Sequence, residues 1–234
     1  MMKGFVDIHQ HLVWGVDDGA QTIEESKELL LASAKQGIRV IFCTSHLTSG
    51  IKPFPYEIYR DHFLTLREIC KEENIPIKLL PAAEVFYTEH TLNMLLQKRI
   101  PTMNGSKYIL VEFSEDASWE NIEHAVCELY RNGYIPIVAH VERYKNFVIH
   151  FKSAIRLHEE VNVYYQMNCG AVLNPRNFIQ KKFVDYMLKN EYIDAIATDS
   201  HNMEYRPPRM LEAFRFISKK YGREYAERLT HFGL

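Results

Sequence analysis

Residues 5–19 read FVDIHQHLVWGVDDG, which sets Asp7, His9 and His11 at alternate positions and follows them with Asp17 and Asp18. In an extended strand alternate side chains share one face. A helix would scatter them, because residues two apart do not face each other there. The spacing therefore predicts a strand whose Asp and two imidazoles converge on one point, the beginning of a metal site.

Working outward, six further apolar runs follow: RVIFCTSH (39–46), IKLLPAAEVF (77–86), YILVEFS (108–114), IPIVAHVER (135–143), VYYQMNCG (163–170) and IDAIATDSH (193–201). Between them lie amphipathic stretches with helix-end signals. Thr22-Ile-Glu-Glu25 has the form of a capping box leading to Gly37, Ser118 opens a stretch that closes at Gly133, and PFPYEIYR (53–60) is an irregular lead-in to a helix. Repeated strand-helix units with continuous apolar strands imply a mainly parallel sheet covered on both faces. No linker or low-complexity segment divides the chain, so one domain over residues 1–234 is expected.

The last polar residues of the runs are His11, His46, Glu84, Glu112, His140, Asn168, and Asp199 with His201. Glu84, Glu112, His140 and Asn168 succeed one another at intervals of 28 residues, close to one strand-helix unit per step. In a parallel barrel the C-terminal strand ends meet on one face, whereas an open sheet would leave its outer strands too far apart to share a site. A closed or nearly closed α/β barrel is expected. Imidazole and carboxylate without thiolate suit manganese, iron or zinc, and the donor count exceeds what one zinc needs, so two or more metals are implied. Carboxylates such as Glu84 and Glu112 would be costly to bury in apolar strands without cations. His62, His90, His124, His150, His158 and His231 fall in helical or terminal segments and are expected to be ordinary surface or core residues. Asn168 either shapes a turn before Cys169-Gly170 or orients a ligand or substrate.

Bulk properties bound the function. The chain has 234 residues, 47% hydrophobic and 25% charged, with a net charge of −2. These values give no electrostatic footprint for nucleic acid. No apolar run approaches the ~18 residues of a membrane span, and no signal-peptide pattern precedes the first strand, so a cytoplasmic protein without membrane insertion is expected. Cys43, Cys70, Cys127 and Cys169 form no CxxC pair and fit reduced thiols.

With those residues in hand, DIHQHLVWGVDDG, TSH, AAEVF, HVERY and ATDSHN resemble the polymerase and histidinol phosphatase (PHP) superfamily, and within it the manganese-dependent protein tyrosine phosphatases of bacterial capsule and exopolysaccharide clusters. The resemblance covers nearly the whole chain and implies a distorted seven-stranded (β/α)7 TIM-like barrel holding three metals. It implies one metal on His9, His11, Glu84 and Asp199, a second sharing Glu84 and adding Glu112 and His140, and a third on Asp18, His46 and His201. Asp7 would then orient His9 or His11 by a hydrogen bond, and Asp17 would cap or steady its loop. Gln10 and Ala20 depart from the usual pattern at positions not expected to bind metal. Trp14, in the mouth loop, either stacks on an aromatic substrate or packs against the rim.

The implied reaction is attack of a metal-bridging hydroxide on a phosphate monoester, with Arg143 and Arg206 offered to the phosphate. A phenolate leaving group, whose conjugate acid has a pKa near 10, needs little help from an acid, which a metal-bound water or His201 could supply. The rival cysteine mechanism requires an Arg six residues after the Cys, and none of the four cysteines has it. The implied substrate is a phosphotyrosine protein, a bacterial tyrosine autokinase controlling polysaccharide export. A small-molecule phosphatase such as histidinol phosphatase is the alternative, and a non-catalytic metal-binding PHP module is a third.

Overall fold

In the computed structural model, which describes residues 4–232, each of the seven runs forms a strand: β1 (Phe5–Gln10), β2 (Ile38–Thr48), β3 (Lys78–Phe86), β4 (Tyr108–Glu112), β5 (Ile135–Val138), β6 (Tyr164–Asn168) and β7 (Ala195–Ala197). The helices are α1 (Ile23–Lys35), α2 (Tyr56–Glu72), α3 (Thr91–Leu96), α4 (Trp119–Arg131), α5 (Lys145–Ile149), α6 (Phe151–Glu160), α7 (Cys169–Leu173), α8 (Phe178–Lys189), α9 (Met210–Tyr221) and α10 (Arg223–Thr230). The strands pair in chain order and every pair is parallel. Just past β7, Asp199 N donates to His9 O (2.8 Å) and His11 N donates to Ser200 O (3.0 Å). These bonds join the end of the last strand to the first, giving the expected seven-stranded, nearly closed barrel.

Local signals account for the helix boundaries. Thr22 caps α1 by accepting from Glu25 N at 3.2 Å. The Glu25 carboxylate reaches Gln21 N (2.7 Å), one residue before the cap, so the capping box is shifted by a residue. Ser118 caps α4 through Asn121 N (3.2 Å), while α2 starts after Pro55 without a side-chain cap. Inside the barrel, Ile8, Phe42, Ala82, Leu110, Ile137 and Ala197 meet from different strands, and a larger apolar layer joins the sheet to its helices. Each such large side chain contributes about 1.5–3 kcal/mol on burial. Among the described residues no helix is long and apolar enough to cross a membrane.

One irregularity in β1 positions the site. Asp7 pairs with Ile41 but Gln10 pairs with Cys43, so β1 spends one residue more than β2 over the same span. Ile8 packs in the inner cluster, and Gln10 Nε2 donates to Ser33 Oγ of α1 (3.0 Å), facing the helix layer. Ile8 and His9 thus stand opposite the single Phe42, and this bulge lets His9 join His11 at the barrel mouth; re-aiming a side chain beside a site is a recurrent use of bulges. The face expected to be common to Asp7, His9 and His11 therefore excludes Asp7. Its carboxylate instead accepts from Thr198 N (3.0 Å) and Thr198 Oγ1 (2.5 Å), tying β1 to the end of β7.

Candidate metal centre

The barrel mouth brings the nine expected ligand residues into one continuous cluster. His9 Nε2 and His11 Nε2 lie 3.1 Å apart. Glu84 Oε2 is 3.1 and 3.2 Å from them, and Asp199 Oδ1 3.4 and 3.5 Å. Glu84 Oε1 is 2.7 Å from His140 Nε2, which lies 3.8 Å from Glu112 Oε2. Asp18 Oδ1 stands 3.3 Å from both His46 Nε2 and His201 Nε2. His46 also joins the second group, its Nδ1 being 3.1 Å from Glu84 and 2.8 Å from Glu112, so it spans two of the sets that the resemblance keeps apart.

Several donors are aimed at a point rather than at each other. Glu84 Oε2, Asp199 Oδ1 and His201 Nε2 are buried without a hydrogen-bond partner. Two imidazole nitrogens 3.1 Å apart can share at most one proton, and otherwise direct lone pairs into the same space. Asp199 divides its labour: Oδ2 accepts from Arg143 (2.5 Å), Arg206 (2.7 Å) and Asn168 (2.7 Å), which leaves Oδ1 for another cation. Oxygen and imidazole donors in this number fit divalent cations. His140 and Asp199 also have positive φ, +32° and +50°. Such conformations cost about 1–3 kcal/mol each and persist where the surroundings over-determine them. Here His140 N is held by Gln166 Oε1 (2.8 Å) and Asp199 N by His9 O.

The supporting shell differs from expectation. Asp17 Oδ1 accepts from Gly19 N (2.9 Å), steadying its loop as expected, while Oδ2 is 2.8 Å from His11 Nδ1 and accepts from His46 N (2.9 Å), so Asp17 also orients one imidazole and anchors the backbone of another. Burial would raise its pKa, but the charge and hydrogen bond of His11, with the Gly19 and His46 amides, bring it down to about 2. A Cβ at Gly19 would strike the His11 carbonyl and Cβ, which explains the glycine of Asp-Asp-Gly. His9 Nδ1 meets Gln166 Oε1 (3.2 Å), so Asp7, reaching only the His9 amide (3.4 Å), orients neither ring. Gln166 escaped notice in the sequence, although it precedes Asn168 by two and so shares its strand face. Asn168 bridges Gln166 Nε2 (2.8 Å) to Asp199, the orienting role among its two options.

The charges within the cluster are mutually compensating. Burial would push Asp199 and Glu84 up, but His9 and the neighbouring imidazoles, with Arg143 and Arg206 at Asp199, hold both well below the usual carboxylate range. Burial and then the charge on His11 bring His201 down to about 4, so its ring is neutral at pH 7. Arg143 and Arg206, expected on a substrate phosphate, both bind Asp199 while their side chains stay partly open to the mouth. Trp14 stacks on His62 at 3.9 Å and 11°, and its carbonyl meets His62 Nδ1 (2.9 Å), so it packs on the rim. His158 is paired with Asp194 (2.9 Å) outside the cluster.

Comparison with known proteins identifies the family. A family described as "Capsular polysaccharide synthesis, CpsB/CapC" matches residues 5–232. The chain is 38% identical to tyrosine-protein phosphatase CpsB of Streptococcus pneumoniae, over 96% of this chain and 94% of that protein. It is 30% identical to tyrosine-protein phosphatase YwqE of Bacillus subtilis, over 96% and 88%. A solved structure from work on YwqE of B. subtilis and CpsB of S. pneumoniae, described as metal-dependent tyrosine phosphatases, superposes with a TM-score of 0.87 at 28% identity, covering 96% of this chain and 90% of that one. Histidinol phosphate phosphatase of Lactococcus lactis shares the fold, with a TM-score of 0.60 at 13% identity over 94% of each chain. The chain belongs to the CpsB/CapC family of capsular polysaccharide synthesis.

Proposed function

We propose that this protein is a cytoplasmic, manganese-dependent protein tyrosine phosphatase acting on a bacterial tyrosine autokinase that controls polysaccharide synthesis or export. The observation that carries the proposal is the meeting of four overlapping donor groups, two of them through Glu84, with Arg143 and Arg206 beside them on Asp199. His9, His11, Glu84 and Asp199 would hold one cation, Glu84, Glu112 and His140 a second, and Asp18, His46 and His201 a third. Bound divalent cations would neutralise phosphate oxygens and lower the pKa of water to about 7, supplying the nucleophile.

The chain's own side chains do the rest. Arg143 and Arg206 present planar forks that can pair with phosphate oxygens and hold the ester in line. Gln166, Asn168 and Asp17 keep the donor rings and Asp199 in register, as such outer partners do at metal sites. A neutral His201 suits coordination. A tyrosine leaving group, with a pKa near 10, needs less help from a general acid than an alkoxide would.

Steady-state hydrolysis of a phosphotyrosyl peptide, a simple aryl phosphate and histidinol phosphate, before and after chelation, tests the proposal. Activity on the peptide that is lost on chelation and restored by Mn2+ is expected. A tenfold preference for histidinol phosphate would overturn the substrate assignment, and full activity after chelation would overturn the metal assignment.

A further inference from the structure

Beside the donor cluster a cleft of about 580 Å3 runs from Asp199, Arg143 and Arg206 toward Arg176 and Arg209. Its four arginines are not equivalent. Arg143 and Arg206 bind Asp199, and Arg209 is held by Glu212 at 2.7 Å. Arg176 is 63% exposed and, among the described residues, meets a carboxylate only at 3.6 Å, that of Glu115, beyond direct hydrogen bonding. The cleft thus offers an exposed guanidinium at its far end from Asp199.

We infer that this cleft is a specificity subsite for the peptide around the phosphotyrosine, in which Arg176 binds an anionic group on a neighbouring residue. This rests on the phosphatase function proposed above. With the phosphate at Arg143 and Arg206, the peptide leaves the metal mouth along the cleft toward Arg176. A carboxylate or a second phosphate would satisfy the Arg176 fork, and both match its bidentate geometry. Because Arg176 is exposed, the pairing is worth about 1 kcal/mol at low salt, or about fivefold in kcat/KM.

The test compares three peptides of one length, each carrying one phosphotyrosine for turnover and flanked by alanines, by glutamates or by a non-hydrolysable phosphotyrosine mimic, at low ionic strength. Wild-type protein should favour the anionic peptides about fivefold over the alanine peptide. Preference for the mimic alone assigns the site to phosphate, and preference for both assigns it to anions in general. In Arg176→Ala the ratio should fall to near one, and in Arg176→Glu it should drop below one. Arg156→Ala, a surface arginine on α6 outside the cleft, controls for net charge and should keep the wild-type ratio. Equal rates for all three peptides in wild type, a ratio that survives Arg176→Ala, or equal loss in Arg156→Ala would each overturn the inference. Failure to hydrolyse any peptide or aryl phosphate in the presence of Mn2+ would instead overturn the phosphatase assignment.

Discussion

Glu84 is the residue whose replacement tests the metal centre most directly. Its buried carboxylate stands 3.1 Å from His9, 3.2 Å from His11, 3.1 Å from His46 and 2.7 Å from His140. Glu84→Gln keeps the shape but removes the charge and turns one acceptor oxygen into a donor. At a free Mn2+ concentration about 100 times Kd, a single site stabilises the native state by about 2.7 kcal/mol. For a chain of this size each kcal/mol raises Tm by about 2–4 °C, so wild-type protein should gain about 5–11 °C. Loss of even a supporting partner costs about 10–100-fold in metal affinity. Taking the upper figure for a shared carboxylate, the same Mn2+ concentration would equal Kd in the variant, leaving about 0.4 kcal/mol, or about 1 °C. Differential scanning fluorimetry of chelator-stripped protein, titrated with Mn2+ in a phosphate-free buffer, reads this difference without reference to activity. A full-sized shift in Glu84→Gln, or none in wild type, would refute the assignment of Glu84 as the shared ligand.

Three further outcomes are expected. Arg143→Ala should lower kcat/KM on a phosphotyrosyl peptide by about 10²–10³, or about 2.7–4 kcal/mol, the scale of one lost transition-state donor; unchanged kinetics would remove it from the phosphate site. Gln166→Leu removes the acceptor at both His9 Nδ1 and the His140 backbone N and should weaken Mn2+ binding by about 10–100-fold in isothermal titration, whereas wild-type affinity would show that the His9 ring and the His140 backbone hold their places without it. Asp194→Asn tests a pair away from the centre: the hydrogen bond from Asp194 outweighs partial burial and raises the pKa of His158 above 6.5. Because the folded pKa is the higher, this pair's contribution is complete below about pH 6.5 and fades as pH rises through the folded value. Urea unfolding should therefore show the variant destabilised by about 1–3 kcal/mol at pH 6 and by less at pH 9, and a deficit that grows with pH would contradict the pairing.

The succession of strand-helix units and the kinds of potential metal donor at the strand ends were legible from residues alone, because apolar periodicity and spacing are local properties. The 28-residue steps from Glu84 to Asn168 correspond to successive parallel strands, so these residues share one end of the barrel. The capping signals of α1 and α4 were legible for the same reason, since each depends on contacts three residues apart.

Register and long-range partners decided the rest. Alternation placed Asp7 with the histidines, but the bulge in β1 depends on how that strand pairs with β2, which no local pattern in residues 5–11 encodes. The partner of His9 is Gln166, 157 positions away, and neutral amides carry no signal distinctive enough to single one out. Trp14 could have served a substrate or the rim until folding brought His62 against it. The sequence by itself determined a seven-stranded parallel barrel with metal-binding side chains at its mouth. Tertiary structure alone decided which atoms face one another, which carboxylate oxygen stays open, and that a cleft lined by an exposed arginine lies beside the site. Residue identity sets chemistry and period, whereas convergence in space depends on strand register and barrel closure.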